Sequence, residues 1–297
     1  MGGYPTDVPA ALTPNRSSDI FIILFKSISA NREHFMISIA INGMCGRMGR
    51  LILQTGFNDP EIMVAVGIDN PDNPDFGKDL GTLAGQEAYG IAVGTTIEQP
   101  VDVLIDFSSP EGTMACLDVC VKESTAMVTG TTGFTDAQIE KIRGAAHKIP
   151  LVLAPNMATG VNVMFSLVRR AAELLDAEFD AEIIETHHRF KKDAPSGTAK
   201  KLVEMIALGR KTDSPDVTFG RKDDTGERRP GEIGVHSVRA GDIVGEHRVV
   251  FSTLGESIEI CHRAHSRRGF ARGAIRAAKF IAGKKPGLYT MFDVLGL

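Results

Sequence analysis

The chain has 297 residues, 43% of them hydrophobic and 24% charged, and it carries a formal net charge of −4. Because a single domain usually spans roughly 100 to 200 residues, this length favours two domains. The small negative charge argues against a nucleic-acid partner, which would require a basic surface.

The first 35 residues differ from a secretory signal. Their apolar run, Ile20 to Phe25, ends at Lys26 and is far shorter than the roughly 20 residues that a membrane-spanning helix requires. No basic stretch precedes this run, and no small-residue cleavage site clearly follows it. We therefore expect no membrane partner and a cytoplasmic protein, with Met36 as the functional start and residues 1–35 as a poorly ordered extension.

Strands and helices alternate from Met36 onward. The segment Ile37–Asn42 predicts a buried strand, and an apolar-periodic helix follows it after a turn. Further strands are predicted at 62–69, 101–107, 126–130 and 151–154, with the clearest helices at 110–122 and 135–147. Because parallel strands need long crossover connections, this alternation predicts an α/β fold with a Rossmann-like, doubly wound parallel sheet.

The pattern changes after about residue 158. Helices are predicted at 161–175 and 196–208, and strands at 178–188, 233–240, 244–254 and 257–264, with a polar connection at 211–232. These elements predict an α+β domain with an open, mainly antiparallel sheet, whose second face is covered when subunits associate. A last helix at 270–282 is expected to return to the first domain.

The four cysteines, Cys45, Cys116, Cys120 and Cys261, are scattered and lack paired metal-ligand spacing. Cys116 and Cys120 lie one turn apart on a predicted helix, so reduced thiols packed against the sheet are favoured over a redox or metal role, and we predict no metal site.

A glycine-rich turn joins the first strand to the first helix. In this position free backbone N–H groups and the positive helix end would meet a dinucleotide pyrophosphate. The turn reads Gly43-Met44-Cys45-Gly46-Arg47-Met48-Gly49. Its spacing is Gly-x-x-Gly-x-x-Gly rather than Gly-x-Gly-x-x-Gly, so a plain tight turn remains an alternative.

Three further segments follow predicted strands at the same sheet edge, where ligands of open α/β sheets gather. Asp69 ends the second strand, where an acid accepts hydrogen bonds from the adenine ribose, although a solvated strand-end acid would look the same. The others are Gly130-Thr131-Thr132 and Ala154-Pro155-Asn156-Met157. Four such segments together favour a dinucleotide cofactor, NADH or NADPH.

The loop from Glu185 to Ala199 combines two kinds of chemistry. Its imidazoles and ammonium groups, at His187, His188 and Lys191, can transfer protons or pair with carboxylates near neutral pH. The start of the following helix, at Ser196-Gly197-Thr198, offers hydroxyls and N–H groups to a small anion. Taken separately, a solvated strand end and a capping serine would explain these residues, whereas a dicarboxylic substrate would use both parts.

As one stretch, this loop resembles the His-His-x-x-Lys-x-Asp-Ala-Pro-Ser-Gly-Thr-Ala signature of the 4-hydroxy-tetrahydrodipicolinate reductases, also called dihydrodipicolinate reductases. The resemblance extends from about Met36 to the C-terminus. It includes Gly-Arg-Met-Gly at 46–49, Asp-Phe-Ser at 106–108, Gly-Thr-Thr-Gly-Phe at 130–134, Gly-Val-Asn-Val-Met at 160–164 and Arg-Ala-Gly-Asp-Ile-Val-Gly-Glu-His at 239–247.

The resemblance implies a dinucleotide-binding domain built from 36–158 and 267–297, a substrate-binding and tetramerisation domain at 159–266, and a homotetramer. It implies His187 as the general acid/base and Lys191 as the proton donor. Substrate carboxylates would be held by His188, Gly197 and Thr198, together with the helix start at Ser196. The cofactor would contact 43–48, Asp69, 130–132 and 154–157.

This chain departs from some relatives at three positions. Asn70 and Ser109 stand where some members have arginine, which leaves the choice between NADH and NADPH open, although the lack of a cation beside Asp69 favours NADH. Phe190 stands where some relatives carry another histidine, which disfavours a mechanism with a third imidazole.

The implied activity is the reduction of 4-hydroxy-tetrahydrodipicolinate, a small cyclic dicarboxylate, to tetrahydrodipicolinate in diaminopimelate and lysine biosynthesis. A hydride would move from nicotinamide C4 while the loop supplies a proton. Two alternatives remain: another Rossmann-type amino-acid or semialdehyde dehydrogenase, and a nicotinamide-sensing regulator, for which no recognition module is evident.

Overall fold

The computed structural model describes residues 36–175 and 177–297. The expected extension at 1–35 lies outside the described residues. No helix in the described ranges is long and apolar enough to cross a membrane.

The first sheet has seven strands, and all of its pairings are parallel. In chain order the strands are β1 (Ile37–Asn42), β2 (Ile62–Ile68), β3 (Val93–Gly94), β4 (Val103–Asp106), β5 (Ala126–Thr129), β6 (Pro150–Leu153) and β12 (Gly287–Tyr289). Their spatial order is β12-β6-β5-β4-β1-β2-β3. The predicted parallel α/β architecture is confirmed.

Helices cover both faces of this sheet. In chain order the helices are α1 (Arg47–Phe57), α2 (Leu80–Ala84), α3 (Pro110–Glu123), α4 (Asp136–Ala146), α5 (Thr159–Leu175), α6 (Gly197–Gly209), α7 (Arg268–Ile281) and α8 (Met291–Leu295), of which α5 and α6 pack in a separate core. Alternate residues of β1 point to opposite faces: Ile39 and Ile41 pack with α1 and α7, whereas Ala40 packs with α3 and α4. The strands are thus apolar on both faces, as expected for a doubly wound sheet.

The C-terminal segment returns to the first sheet. Helix α7 packs against α1 and the strands through a stripe of alanines, and β12 pairs with β6. Gly273 of α7 has no side chain, so the helix approaches the backbone of Met157 closely. This contact holds the segment after β6 in place.

The second sheet has five strands in the order β11-β10-β7-β9-β8. They are β7 (Asp180–His187), β8 (Val217–Phe219), β9 (Ile233–Arg239), β10 (Gly245–Thr253) and β11 (Glu256–Ala264). The pairings of β10 with β7 and β11 are antiparallel, and those of β9 with β7 and β8 are parallel. Antiparallel pairs form the larger part of this sheet, as predicted, but the sheet is mixed. The parallel pairings of β9 were not predicted; they arise because the connection from β7 through α6 is a helical crossover that returns the chain in the same direction.

Helices α5 and α6 cover one face of the second sheet. Their apolar stripes pack against Ile183, Val235, Val249 and Phe251, which are buried on three neighbouring strands, β7, β9 and β10. The start of α6 and the end of β7 therefore lie against one core.

The cysteine prediction holds for the thiols of α3. Cys116 and Cys120 are buried against the first sheet and unpaired, whereas Cys261 is free but exposed on β11. Burial raises the pKa of the Cys116 thiol to about 12, so this side chain behaves as a small apolar residue.

Candidate active site

The structure brings the four predicted cofactor segments to one edge of the first sheet. Residues 43–48 follow β1, Asp69 follows β2, 130–132 follow β5, and 154–157 follow β6. Because these strands are parallel, their carboxyl ends meet at the same edge. Strand β1 lies between β2 and β4, where the chain order reverses, and this is the position at which such sheets bind ligands.

Two glycines of the turn lie where a side chain would be unfavourable, one because of its backbone angle and one because of a close contact. Gly43 has a φ of 77°, in the left-handed region that favours glycine. A Cβ at Gly49 would lie 2.7 Å from the Cα of Met44. Gly46 begins α1 without a side-chain cap, so no side chain of the turn accepts the first N–H groups of that helix. These groups can therefore bind an anion.

Asp69 is held beside this turn. One carboxylate oxygen accepts a hydrogen bond from the backbone N–H of Cys45 at 2.7 Å, and the other accepts from the N–H of Asn70 at 2.8 Å. Each oxygen retains a lone pair that can accept a ribose hydroxyl. Asn70, the next residue, and Arg47, in the glycine turn, are both exposed.

Asp106 organises the centre of the edge, a role that the sequence did not reveal. Its side chain is fully buried and accepts hydrogen bonds from five side-chain donors. They are Asn42, Ser108, Thr113, Thr129 and Thr131, at 2.6 to 2.9 Å. This carboxylate therefore ties the ends of β1, β4 and β5 to the start of α3, and it orients Thr131 of the predicted cofactor segment.

The second cluster of functional side chains lies at the end of β7. Glu185 is fully buried and accepts hydrogen bonds from His187 Nδ1 at 2.5 Å and from both terminal nitrogens of Arg239 at 2.8 and 2.9 Å. The backbone N–H of Ser196 also donates to it, at 3.2 Å. Glu185 thus fixes the ring of His187 and leaves the Nε2 atom to exchange a proton.

The electrostatics of this cluster follow from its burial. Burial alone would raise the pKa of Glu185, but hydrogen bonds from Arg239, Ser237 and His187 outweigh this effect and lower the pKa to about 2. Burial lowers the pKa of His187 below its usual value, and the Glu185 carboxylate offsets only part of that change. In the free protein His187 is therefore mainly neutral at pH 7.

Lys191 is connected to the same cluster. Its ammonium pairs with Asp193 at 2.8 Å, and Arg239 donates to the backbone carbonyl of Asp193 at 2.6 Å. The Lys191 ammonium lowers the pKa of the Asp193 carboxyl. His188 is half-buried, and its Nδ1 atom has no hydrogen-bond partner among the described residues. Phe190, in contrast, is 77% exposed.

The start of α6 connects the two clusters. Ser196 caps this helix, because its Oγ accepts from the N–H of Ala199 at 3.2 Å. The amide of Asn156, in the segment after β6, donates to Thr198 Oγ1 at 3.1 Å. A predicted substrate residue therefore touches a predicted cofactor residue directly.

Glu185 and Arg239 were not assigned roles from the sequence, although both lie in stretches that it singled out. One signal was available: Glu185 and His187 are two residues apart on a strand and so share a face. Arg239 offered none, since it pairs in register with His187 only through the parallel alignment of β7 and β9.

The fold and these two clusters define a Rossmann-type oxidoreductase, with a loop that carries histidines and lysines beside the carboxyl edge of its parallel sheet. Family models described as the N-terminus and the C-terminus of dihydrodipicolinate reductase match residues 37–157 and 160–295. The chain therefore belongs to the dihydrodipicolinate reductase family, and it is a nicotinamide-dependent oxidoreductase.

Individual relatives agree with this assignment. The 4-hydroxy-tetrahydrodipicolinate reductase of Aromatoleum aromaticum is 45% identical over 277 residues, which cover 91% of this chain and 100% of the relative. That of Rubrobacter xylanophilus is 44% identical over 260 residues, with 88% and 98% covered. The dipicolinate-bound dihydrodipicolinate reductase of Paenisporosarcina is similar in structure, with a TM-score of 0.70, 29% identity, and 87% and 99% of the two chains covered.

Proposed function

We propose that this chain reduces 4-hydroxy-tetrahydrodipicolinate to tetrahydrodipicolinate, a step of diaminopimelate and lysine biosynthesis, and that the loop from His187 to Thr198 binds the substrate and supplies the proton. The names of its relatives and the dipicolinate held by the Paenisporosarcina enzyme support this substrate. The hydrogen bond between Asn156 and Thr198 carries the proposal, because it joins the substrate loop to the cofactor edge.

The cofactor would bind along the carboxyl edge of the first sheet. The pyrophosphate fits the uncapped start of α1, where Gly43 and Gly49 allow close approach of the backbone. Asp69 would accept the adenine ribose hydroxyls, and the segments at 130–132 and 154–157 would line the nicotinamide half. When bound, the cofactor supplies the hydride, and the hydroxyl of the substrate leaves as water before or during the reduction.

The substrate carboxylates would be held at the start of α6. Gly197 and Thr198 offer N–H groups and a hydroxyl there, Ser196 fixes the turn, and His188 and Lys191 provide further donors. A ring bound at this position lies beside Asn156 and hence beside the nicotinamide segment. The protein thereby holds hydride donor and acceptor in one orientation.

Proton delivery is assigned to Lys191, with His187 as the general acid/base. Arriving carboxylates favour the charged form of His187, since opposite charges nearby stabilise ions. The His187 ring, which is mainly neutral in the free protein, would therefore gain a proton as the substrate binds. Glu185 stabilises that imidazolium, because it already accepts the Nδ1 hydrogen bond.

The test of the proposal is turnover with 4-hydroxy-tetrahydrodipicolinate, followed as oxidation of the reduced cofactor. A positioned acid contributes roughly a hundredfold to ten-thousandfold, so Lys191→Ala should lower kcat by a factor in that range at saturating cofactor. Lys192→Ala, one residue further along, is the matched control and should retain full activity. Near-normal turnover by Lys191→Ala would show that Lys191 is not part of the mechanism. If the wild-type protein turned over aspartate semialdehyde instead, the proposed substrate would be wrong.

We further propose a preference for NADH, because Asn70 rather than a cation directly follows Asp69, the acid that would accept the ribose hydroxyls. We also propose a homotetramer. The face of the second sheet opposite α5 and α6 carries Val238, 43% exposed, and Cys261, and an open sheet face of this kind is covered by subunit association. Light scattering of the purified protein measures the number of subunits.

A further inference from the structure

His247 has no part in the reaction as proposed, yet it lies against two of its groups. The side chain stands on β10, 4% exposed, with its Nε2 atom 3.1 Å from Ser196 Oγ. Its ring meets the ring of His187 edge-to-face, with centroids 5.1 Å apart. One buried imidazole therefore touches both the general acid/base and the cap of the helix that would hold the substrate carboxylates.

The chemistry of His247 suits a structural contact better than proton transfer. Burial lowers its pKa to about 3, and the neighbouring His187 acts in the same direction, so the ring is neutral. A neutral imidazole has one N–H, and Nδ1 of His247 has no partner among the described residues. Because a buried N–H without an acceptor is strongly unfavourable, the proton belongs on Nε2, which donates to Ser196 Oγ.

Ser196 and His187 are already fixed from the opposite side by Glu185, which accepts from the N–H of Ser196 and from Nδ1 of His187. His247 repeats this connection through the serine hydroxyl and the imidazole face. The two bridges come from different strands, β7 and β10. Together they prevent the carboxylate-binding turn from moving independently of the acid.

We propose that His247 is a positioning residue for the reduction: it joins the Ser196 turn to the ring of His187, so that substrate binding and proton exchange occur in one fixed geometry. This inference rests on the proposed function of that loop. It assigns His247 no contact with the substrate and no proton of its own.

The side-chain length of the replacement tests the inference. Asparagine is too short to place an amide where Nε2 of His247 lies, whereas the amide nitrogen of glutamine can reach that position. His247→Asn should lower kcat/KM for the substrate about 10- to 100-fold, with KM raised and kcat reduced, because small displacements at a reacting centre have effects of this size. His247→Gln should recover at least half of that loss on a logarithmic scale. The Kd of the reduced cofactor should stay within twofold in both variants.

The control is His147→Asn, which makes the same change at an exposed histidine after α4 and should match the wild type. Ser196→Ala removes the same hydrogen bond from the other side, so adding His247→Gln to it should cause no further loss. This second comparison applies even where His247→Asn does not fold.

Equal losses in His247→Gln and His247→Asn, kcat/KM of His247→Asn within twofold of the wild type, or additive effects with Ser196→Ala would each overturn the inference. A wild-type protein that does not reduce 4-hydroxy-tetrahydrodipicolinate would instead overturn the proposed function, so the two failures are distinguishable.

Discussion

The proposed cofactor edge and the proposed substrate loop offer different kinds of groups to a negatively charged ligand. At the edge, the groups offered are mainly backbone N–H groups at a helix start, made accessible by Gly43 and Gly49. At the loop, the groups are mainly polar and charged side chains, and the buried carboxylate of Glu185 fixes two side chains of this cluster, His187 and Arg239. The edge depends on the absence of side chains, and the loop depends on their exact partners.

This difference sets how each region responds to change. An added methyl group is the most damaging change at the edge, because it displaces backbone. At the loop, loss of one charge is the most damaging, because it leaves a buried partner without compensation. Substitutions in the two regions should therefore separate cofactor affinity from turnover.

Glu185→Gln should have the largest effect. The change keeps the shape of the side chain but leaves Arg239 without its buried carboxylate, which costs about 3–5 kcal/mol of stability. Turnover should fall about a hundredfold as His187 loses its fixed orientation. Urea unfolding and kcat measure the two effects. Glu259→Gln, at an exposed pair 3.7 Å from Arg248, should change neither, and a similar loss there would refute the special role of Glu185.

The same variant predicts a pH dependence. The pKa of Glu185 is 4.5 ordinarily and about 2 in the folded protein, so its carboxylate stabilises the fold fully above pH 4.5. That contribution is lost as the pH falls from 4.5 through about 2. The difference in unfolding free energy between the wild type and Glu185→Gln should therefore be smaller at pH 3 than at pH 7. A constant difference would show that charge is not its origin.

Gly49→Ala should have the next largest effect. The new Cβ would lie 2.6 Å from the carbonyl oxygen of Met44, so the glycine turn has to shift, at about 1–3 kcal/mol. The Kd of the reduced cofactor should rise roughly tenfold or more, measured by fluorescence titration. Gly144→Ala, a helical glycine with open space around its Cβ, is the control and should leave the Kd unchanged. An unaltered Kd in Gly49→Ala would contradict the placement of the pyrophosphate.

Gly245→Ala should lower turnover instead of cofactor affinity, and its effect should be smaller than that of Gly49→Ala. Its Cβ would lie 3.1 Å from His187 Nε2, so the ring has to move by a few tenths of an ångström. We expect kcat to fall roughly three- to tenfold, since reacting groups tolerate little displacement, while the cofactor Kd stays constant. Steady-state kinetics and titration together check this split. A raised cofactor Kd with normal kcat would show that the two regions are not separable here.

Asn70→Arg should have the smallest effect. An exposed arginine after Asp69 can pair with a 2′-phosphate, and exposed ion pairs contribute little, so kcat/KM with NADPH relative to NADH should rise about fivefold. Asn70→Gln tests length without charge and should leave the ratio unchanged. Equal ratios in the two variants would mean that the phosphate lies elsewhere.

Elements fixed by residues close together in the sequence were predicted more accurately than elements fixed by contacts between distant residues. Helix α4 was predicted within one residue at each end, because Thr135 caps it locally and its apolar period is regular. Strands β3, β8 and β12 were not predicted, since two or three residues carry no periodicity. The parallel pairing of β9 was also missed, because pairing partners are chosen by tertiary packing.

By itself, the sequence determined the alternating α/β pattern, the glycine turn with Asp69, and the basic loop with the capped start of α6, because each depends on neighbouring residues. Only the tertiary structure decided that Asp106 joins three strand ends, and that Arg239 and His247 meet the loop. The contacts of Arg239 and His247 link residues more than fifty positions apart, and those of Asp106 join the ends of different strands. A buried charge or imidazole acquires its role from the partners that surround it.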